Sequence, residues 1–266
     1  MAPFLKVCIA IPAVAAVSVL RTSPALEPVD ACHCLNWKQT YATKGVKCGT
    51  SLEFYSATGR TALDKNLVDG LQDMLGKEYC SGFFEALDGE FCANVNKGED
   101  KGQWCFVDSA CPTLNGGAAV NPRVSWKKCE LEKDNSLRNW PVVSLAVLAG
   151  DKEIDLGRLY QMSYTQSPHL WKEVAPFFGV GLDGLTTEPR SIPATRAQLR
   201  DYFASRFPKE GKVSGELRRE MQKVVGSGRA VWFETDDLMD HGPPYVIVKG
   251  TEIYFVFGEL LCMSGC

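Results

Sequence analysis

The spacing of apolar residues changes along the chain. Between 61 and 76, Leu63, Leu67, Leu71 and Leu75 recur every four residues, and Gly76 can end the run, so a helix is expected there. A shorter helix is expected around 80–87. The rest of 30–130 carries turn signals instead of a period: Gly45, ATG at 57–59, LDG at 87–89, NKGEDKG at 96–102 and NGG at 115–117. Beyond a polar stretch at 130–139 the pattern becomes regular. The apolar run WPVVSLAVLAG at 140–150 is too short to span a bilayer and reads as a buried strand over 142–148. Helices are predicted near 156–164, 168–178, 195–207 and 214–225. Leu199, Tyr202, Phe203 and Phe207, then Leu217, Met221, Val224 and Val225, form apolar faces at helical spacing, and Thr195 is placed to cap the third of these helices. The tail shifts to period two in RAVWFET at 229–235, YVIVKG at 245–250 and EIYFVFGELLC at 252–262, with a hairpin at Gly250–Thr251.

These elements predict an α+β chain in two parts. A loop-rich module spans 31–130, and a domain of helices on one face of a small antiparallel sheet spans 140–266. Residues 1–30 stand apart. Lys6 precedes an apolar run at 7–20 and small residues at 23–25, the pattern of an export signal. Retained, the same segment would serve as an N-terminal membrane anchor. The net charge of −3 argues against nucleic acid as a partner, because phosphate binding needs a concentrated basic face.

Cysteine usage sharpens the picture. Of eleven cysteines, Cys8 lies in the leader. Cys32, Cys34, Cys48, Cys80, Cys92, Cys105, Cys111 and Cys129 fall in the module, and Cys262 and Cys266 close the chain. A zinc site wants paired Cys-x2-4-Cys spacings, and a redox centre wants Cys-x-x-Cys at a helix start. Cys32-His33-Cys34 is neither. Eight cysteines in about a hundred loop-rich residues behind an export signal fit a disulfide framework, whose connectivity is one of 105. Cys262 and Cys266 pair most simply with each other, and a bridge to the first module is the alternative.

The words CHCLNWKQTYATKGVKCG, EFY, YCSGFFEALDGEFCANVNKGEDKGQWCFVDSACPTLNGG and VSWKKC together resemble a cysteine-rich module of exported dinoflagellate-algal proteins. The resemblance covers about 31–130. It implies a disulfide fold and an oxidising destination: the cell exterior, the secretory pathway or the thylakoid lumen. It assigns no activity and no residue roles. The second part resembles no family.

Candidate chemistry is sparse. The acidic cluster FETDDLMDHGPP offers Glu234, Asp236, Asp237 and Asp240, with His241, as a cation site or an acid–base group, but acidic residues and prolines are also ordinary turn chemistry between strands. Gly226-Ser227-Gly228 reads as a helix stop. No nucleophile elbow, P-loop or dinucleotide fingerprint occurs. Trp37, Trp104 and Trp126 could form a platform for a sugar ring or pack against cystines in a small core. No glycosylation sequon is present. The expectation is therefore a protein without enzymatic activity, cofactor or metal. It would bind other protein subunits as an accessory of a membrane assembly, such as a photosystem in the thylakoid lumen. A free secreted protein that binds carbohydrate or protein is the alternative, and an enzyme using the 234–241 loop is the lesser one.

Overall fold

The computed structural model describes residues 30–61, 63–96, 101–186, 188–190, 194–235 and 244–266. The leader or anchor at 1–29 and the acidic positions Asp236, Asp237 and Asp240 lie outside them.

In the first half, α1 (Trp37–Thr43), a short α2 (Tyr55–Thr58) and α3 (Lys65–Leu75) precede a π-helical segment, Gly76–Phe84. Strands β1 (Ala93–Asn94), β2 (Gln103–Asp108), β3 (Ala118–Asn121) and β4 (Val124–Lys128) follow, forming an antiparallel sheet in the order β1-β2-β4-β3. In the second half, α4 (Val142–Lys152), α5 (Leu156–Ser163), β5 (Thr165–Gln166), α6 (Trp171–Phe178), α7 (Arg196–Phe203) and α8 (Gly215–Ser227) lead into β6 (Val231–Glu234), β7 (Tyr245–Lys249), β8 (Glu252–Val256) and β9 (Leu260–Ser264). These strands lie in the order β5-β6-β7-β8-β9, parallel at β5–β6 and antiparallel elsewhere. The chain is α+β.

Several expected elements appear, one of them with its predicted cap. Thr195 caps α7: its Oγ1 accepts from the Gln198 amide, and Gln198 Oε1 accepts from the Thr195 amide at 2.7 Å. Asp64 starts α3 by accepting from Leu67 N at 2.9 Å, three residues after the expected start at 61. The helix does not end at Gly76 but widens into the π segment that carries Cys80. The hairpin at Gly250–Thr251 joins β7 and β8 with Lys249 opposite Glu252. The run 252–262 is two strands, broken where Phe257 N donates to Glu259 O and Gly258 takes a φ of 70°.

The strand expected at 142–148 is instead the helix α4. Its buried positions Val142, Leu145 and Ala149 recur at helical spacing, while Val143 and Val147 face solvent. A short apolar run fits either element by periodicity, and the valines favoured the wrong one.

The larger sheet is covered on both faces rather than one. Successive residues of a strand point to opposite sides. Trp232, Tyr245, Ile247, Tyr254 and Val256 join a core shared with Leu145 of α4, Leu159 and Tyr160 of α5, and the bridged first half. Phe233, Val246, Val248, Ile253 and Phe255 pack against Trp171 of α6, Phe203 of α7 and Met221 of α8. The near-continuous apolar strands of the tail follow from this double burial.

A buried polar network joins the halves. Asn94 of β1 donates through Nδ2 to the carbonyls of Gln161 (2.8 Å) and Tyr164 (2.9 Å), which end α5. Gln103 Nε2 and Arg138 Nη2 both donate to Asn94 Oδ1, at 3.0 and 2.9 Å. Gln161 Nε2 donates to the Tyr245 hydroxyl at 2.7 Å. Helix-end carbonyls lack partners within the helix, and Asn94 supplies them from the other half of the chain.

Candidate functional site

Five disulfides join the ten cysteines from Cys32 onward: Cys32–Cys111, Cys34–Cys105, Cys48–Cys80, Cys92–Cys129 and Cys262–Cys266. Several such bridges in one chain indicate an oxidising environment outside the cytosol. Two of them hold the segment around His33. Cys32 is tied to Cys111, and Cys34 to Cys105 in β2. The backbone between runs beside β2, with Leu35 N donating to Phe106 O at 2.7 Å and Asp108 N to Ala31 O at 3.2 Å. His33 is thus presented on a stretch pinned on either side.

That stretch and α1 form the wall of a cleft of about 500 Å³, lined by Asp30, His33, Asn36, Gln39, Glu90 and Asp108 among others. His33 Nε2 lies 2.9 Å from Glu90 Oε2, both side chains being more than half exposed. Asn36 caps α1 by accepting from Gln39 N, and its Nδ2 donates to Asp88 Oδ1 at 2.8 Å. That hydrogen bond, helped by Lys152, holds the Asp88 carboxyl below its ordinary range. Asp30 and Asp108 accept from Cys32 N and Ala110 N, which fixes both carboxylates in local turns. The cleft therefore offers fixed carboxylates, an imidazole and amides, a set suited to hydrogen-bonding a polar ligand.

Tyr41 of α1 is paired with a buried carboxyl from the loop before α2. The Tyr41 hydroxyl donates to Glu53 Oε1 at 2.8 Å, and Ser51 N donates to Glu53 Oε2 at 2.8 Å. Burial pushes the Glu53 carboxyl up to about 7 against the pull of these hydrogen bonds, and burial together with Glu53 raises the Tyr41 phenol well above its ordinary value.

Trp37 and Trp104 are fully buried and Trp126 nearly so, which removes the aromatic platform. Trp37 and Trp104 meet edge to face at 4.7 Å, and Phe106 lies 5.1 Å from both. These rings are the core around the bridges. Glu234 ties the edge of the larger sheet, accepting from Gln166 Nε2 at 3.0 Å, and its acidic partners in the predicted cation loop lie outside the described residues. His169 joins α6 to α8 through Glu220 at 2.8 Å. Among the described residues one group has ligand atoms close enough for a metal: the sulfurs of Cys34, Cys92, Cys105 and Cys129 lie within 4.8 Å of one another. All four are bridged, and the thiolate is the metal-binding form.

Sequence reasoning singled out His33 only as the residue between two cysteines, and passed over Glu90, Asn36 and Asp88. The flanking cysteines were the available signal, since a residue between two half-cystines has a fixed backbone. Among the described residues, no helix is long and apolar enough to cross a membrane. Comparison with family models, curated proteins and solved structures finds no match to this chain.

Proposed function

We propose that this protein works by binding rather than catalysis, as a disulfide-stapled accessory subunit of a membrane-associated assembly in an oxidising lumen. The His33–Glu90 cleft is its recognition site for a polar segment of a partner protein. The observation that carries this reading is the mounting of the cleft: a hydrogen-bonding surface held between Cys32–Cys111 and Cys34–Cys105, so that little conformational entropy is lost when a partner docks. The resemblance of residues 31–130 to exported dinoflagellate proteins implies an oxidising destination, and among those it allows we take the thylakoid lumen, with a photosystem as the assembly.

The test is cross-linking and mass spectrometry on source membranes, comparing the wild type with the double variant His33→Ala, Glu90→Ala. A defined set of membrane-complex subunits, cross-linked near residue 33 and lost in the variant, is the expected result. Subunits retained by the variant sink the assignment of the cleft. A chain recovered free, with no cross-linked subunit, sinks the accessory role and leaves a secreted binder.

A further inference from the structure

Two bridges of the first half lie against each other. Cys34 Sγ, bridged to Cys105, is 3.5 Å from Cys92 Sγ, bridged to Cys129. All four sulfurs fall within 4.8 Å of one another. They come from four different places in the fold: the segment before α1, the isolated bridge before β1, the middle of β2 and the residue after β4. Cys34, Cys92 and Cys105 are buried, whereas Cys129 is partly exposed. Isolated cystines in a core have no neighbouring sulfur to react with. These do.

We propose that this cluster is a thiol-operated exchange relay, with Cys129 as the atom that an external small-molecule thiol attacks. Disulfide exchange needs a thiolate, an accessible sulfur and a leaving thiolate. The external thiolate forms a bond to Cys129 Sγ and breaks the Cys92–Cys129 bond, releasing Cys92 as thiolate. Cys92 Sγ attacks its neighbour Cys34 Sγ, forming Cys34–Cys92 and releasing Cys105. Cys105 then attacks Cys129 Sγ in the mixed disulfide, forms Cys105–Cys129 and expels the external thiolate. Two bridges are consumed and two are made, the thiol is regenerated, and no oxidant or reductant is used. The relay interconverts two pairings of the same four cysteines inside a folded chain. The Cys32–Cys111 and Cys48–Cys80 bridges lie outside it.

The experiment treats the folded protein with a small amount of reduced glutathione at mildly alkaline pH, quenches with acid, and maps bridged peptides by mass spectrometry. The expected products are Cys34–Cys92 and Cys105–Cys129 peptides beside the original ones, with Cys32–Cys111 and Cys48–Cys80 intact. Unchanged pairing, or mixing that also consumes Cys32, Cys48, Cys80 or Cys111, overturns the relay. Cys105→Ser gives a second test, because it leaves Cys34 as the odd thiol beside the Cys92–Cys129 bridge. Internal attack must then free Cys129, so alkylation of the native variant labels Cys129. Label confined to Cys34 after denaturation overturns the proposal.

Discussion

Glu53 shows how much a single buried carboxyl can shape behaviour. Its folded-state value is raised to about 7 from an ordinary 4.5, so the folded chain holds a proton that the unfolded chain has released across that window. A raised value contributes stability that is fully present below the unfolded value and is lost as pH rises through the folded one. At about 1.4 kcal/mol per unit, the loss from pH 4.5 to above 7 is on the order of 3 kcal/mol. Urea denaturation across this range should show stability falling as pH rises. Glu53→Gln can accept from Ser51 and donate to Tyr41, so it should flatten that dependence and be more stable than the wild type at pH 8. An equal slope in the variant would show that Glu53 is not the cause. Asn94 gives the opposite lesson, that of a neutral group fully used. Replacing it with leucine takes a buried donor from the carbonyls of Gln161 and Tyr164 and a buried acceptor from Arg138, while Gln103 keeps only its longer bond to the Ser163 carbonyl. At about 1–3 kcal/mol per stranded buried group, the midpoint of thermal unfolding should drop by several degrees or more.

Among the elements, the bridges differ in what they constrain. Cys48–Cys80 closes 32 residues and Cys262–Cys266 only 4. The loop-closure relation gives about 4 kcal/mol for the first and about 2 kcal/mol for the second. Paired Cys→Ser variants should differ in that order by chemical denaturation, and the reverse order would show that the tail bridge is holding a packed structure. Which elements were legible follows from their physics. Bridging was readable from the number and clustering of the cysteines, and α7 and the β7–β8 hairpin from a capping residue and a turn. α4 was not, because apolar residues at 142, 145 and 149 look alike on a helix or a buried strand until the neighbours are known. The cleft was least readable of all: His33 and Glu90 lie 57 residues apart, and only the bridges and the strand-side path of 31–35 bring them together. The tryptophans could not be divided between core and platform from sequence, since both uses require the same residue type.

For the molecule as a whole, the larger sheet decides how the halves depend on each other. One of its faces is lined by Trp232, Tyr245, Ile247, Tyr254 and Val256, and that face packs into the core of the bridged half. A fragment beginning near residue 140 would keep α4 and α5 on that face but lose the bridged half's share of the core, leaving apolar side chains there open to water. It should bind a hydrophobic dye and lack sharp near-ultraviolet dichroism, whereas the whole chain should unfold in one transition by both tryptophan fluorescence and far-ultraviolet dichroism. A fragment with native-like dichroism and no dye binding would show that the second half is self-sufficient.

The sequence positions of the bridges set an order of events during synthesis. Every bridge of the first half is complete once Cys129 has emerged, before any residue of the larger sheet exists. Chains acquire structure from the N-terminus as they are made. The oxidising machinery of the receiving compartment therefore meets a cysteine set that can close on its own. The core that the first half shares with Trp232 and Tyr245 stays incomplete until the last forty residues arrive. In that interval the four bridges of the first half can be closed while its apolar surface is not yet buried, and a chaperone acting on it would have to shield that surface rather than rearrange its cystines.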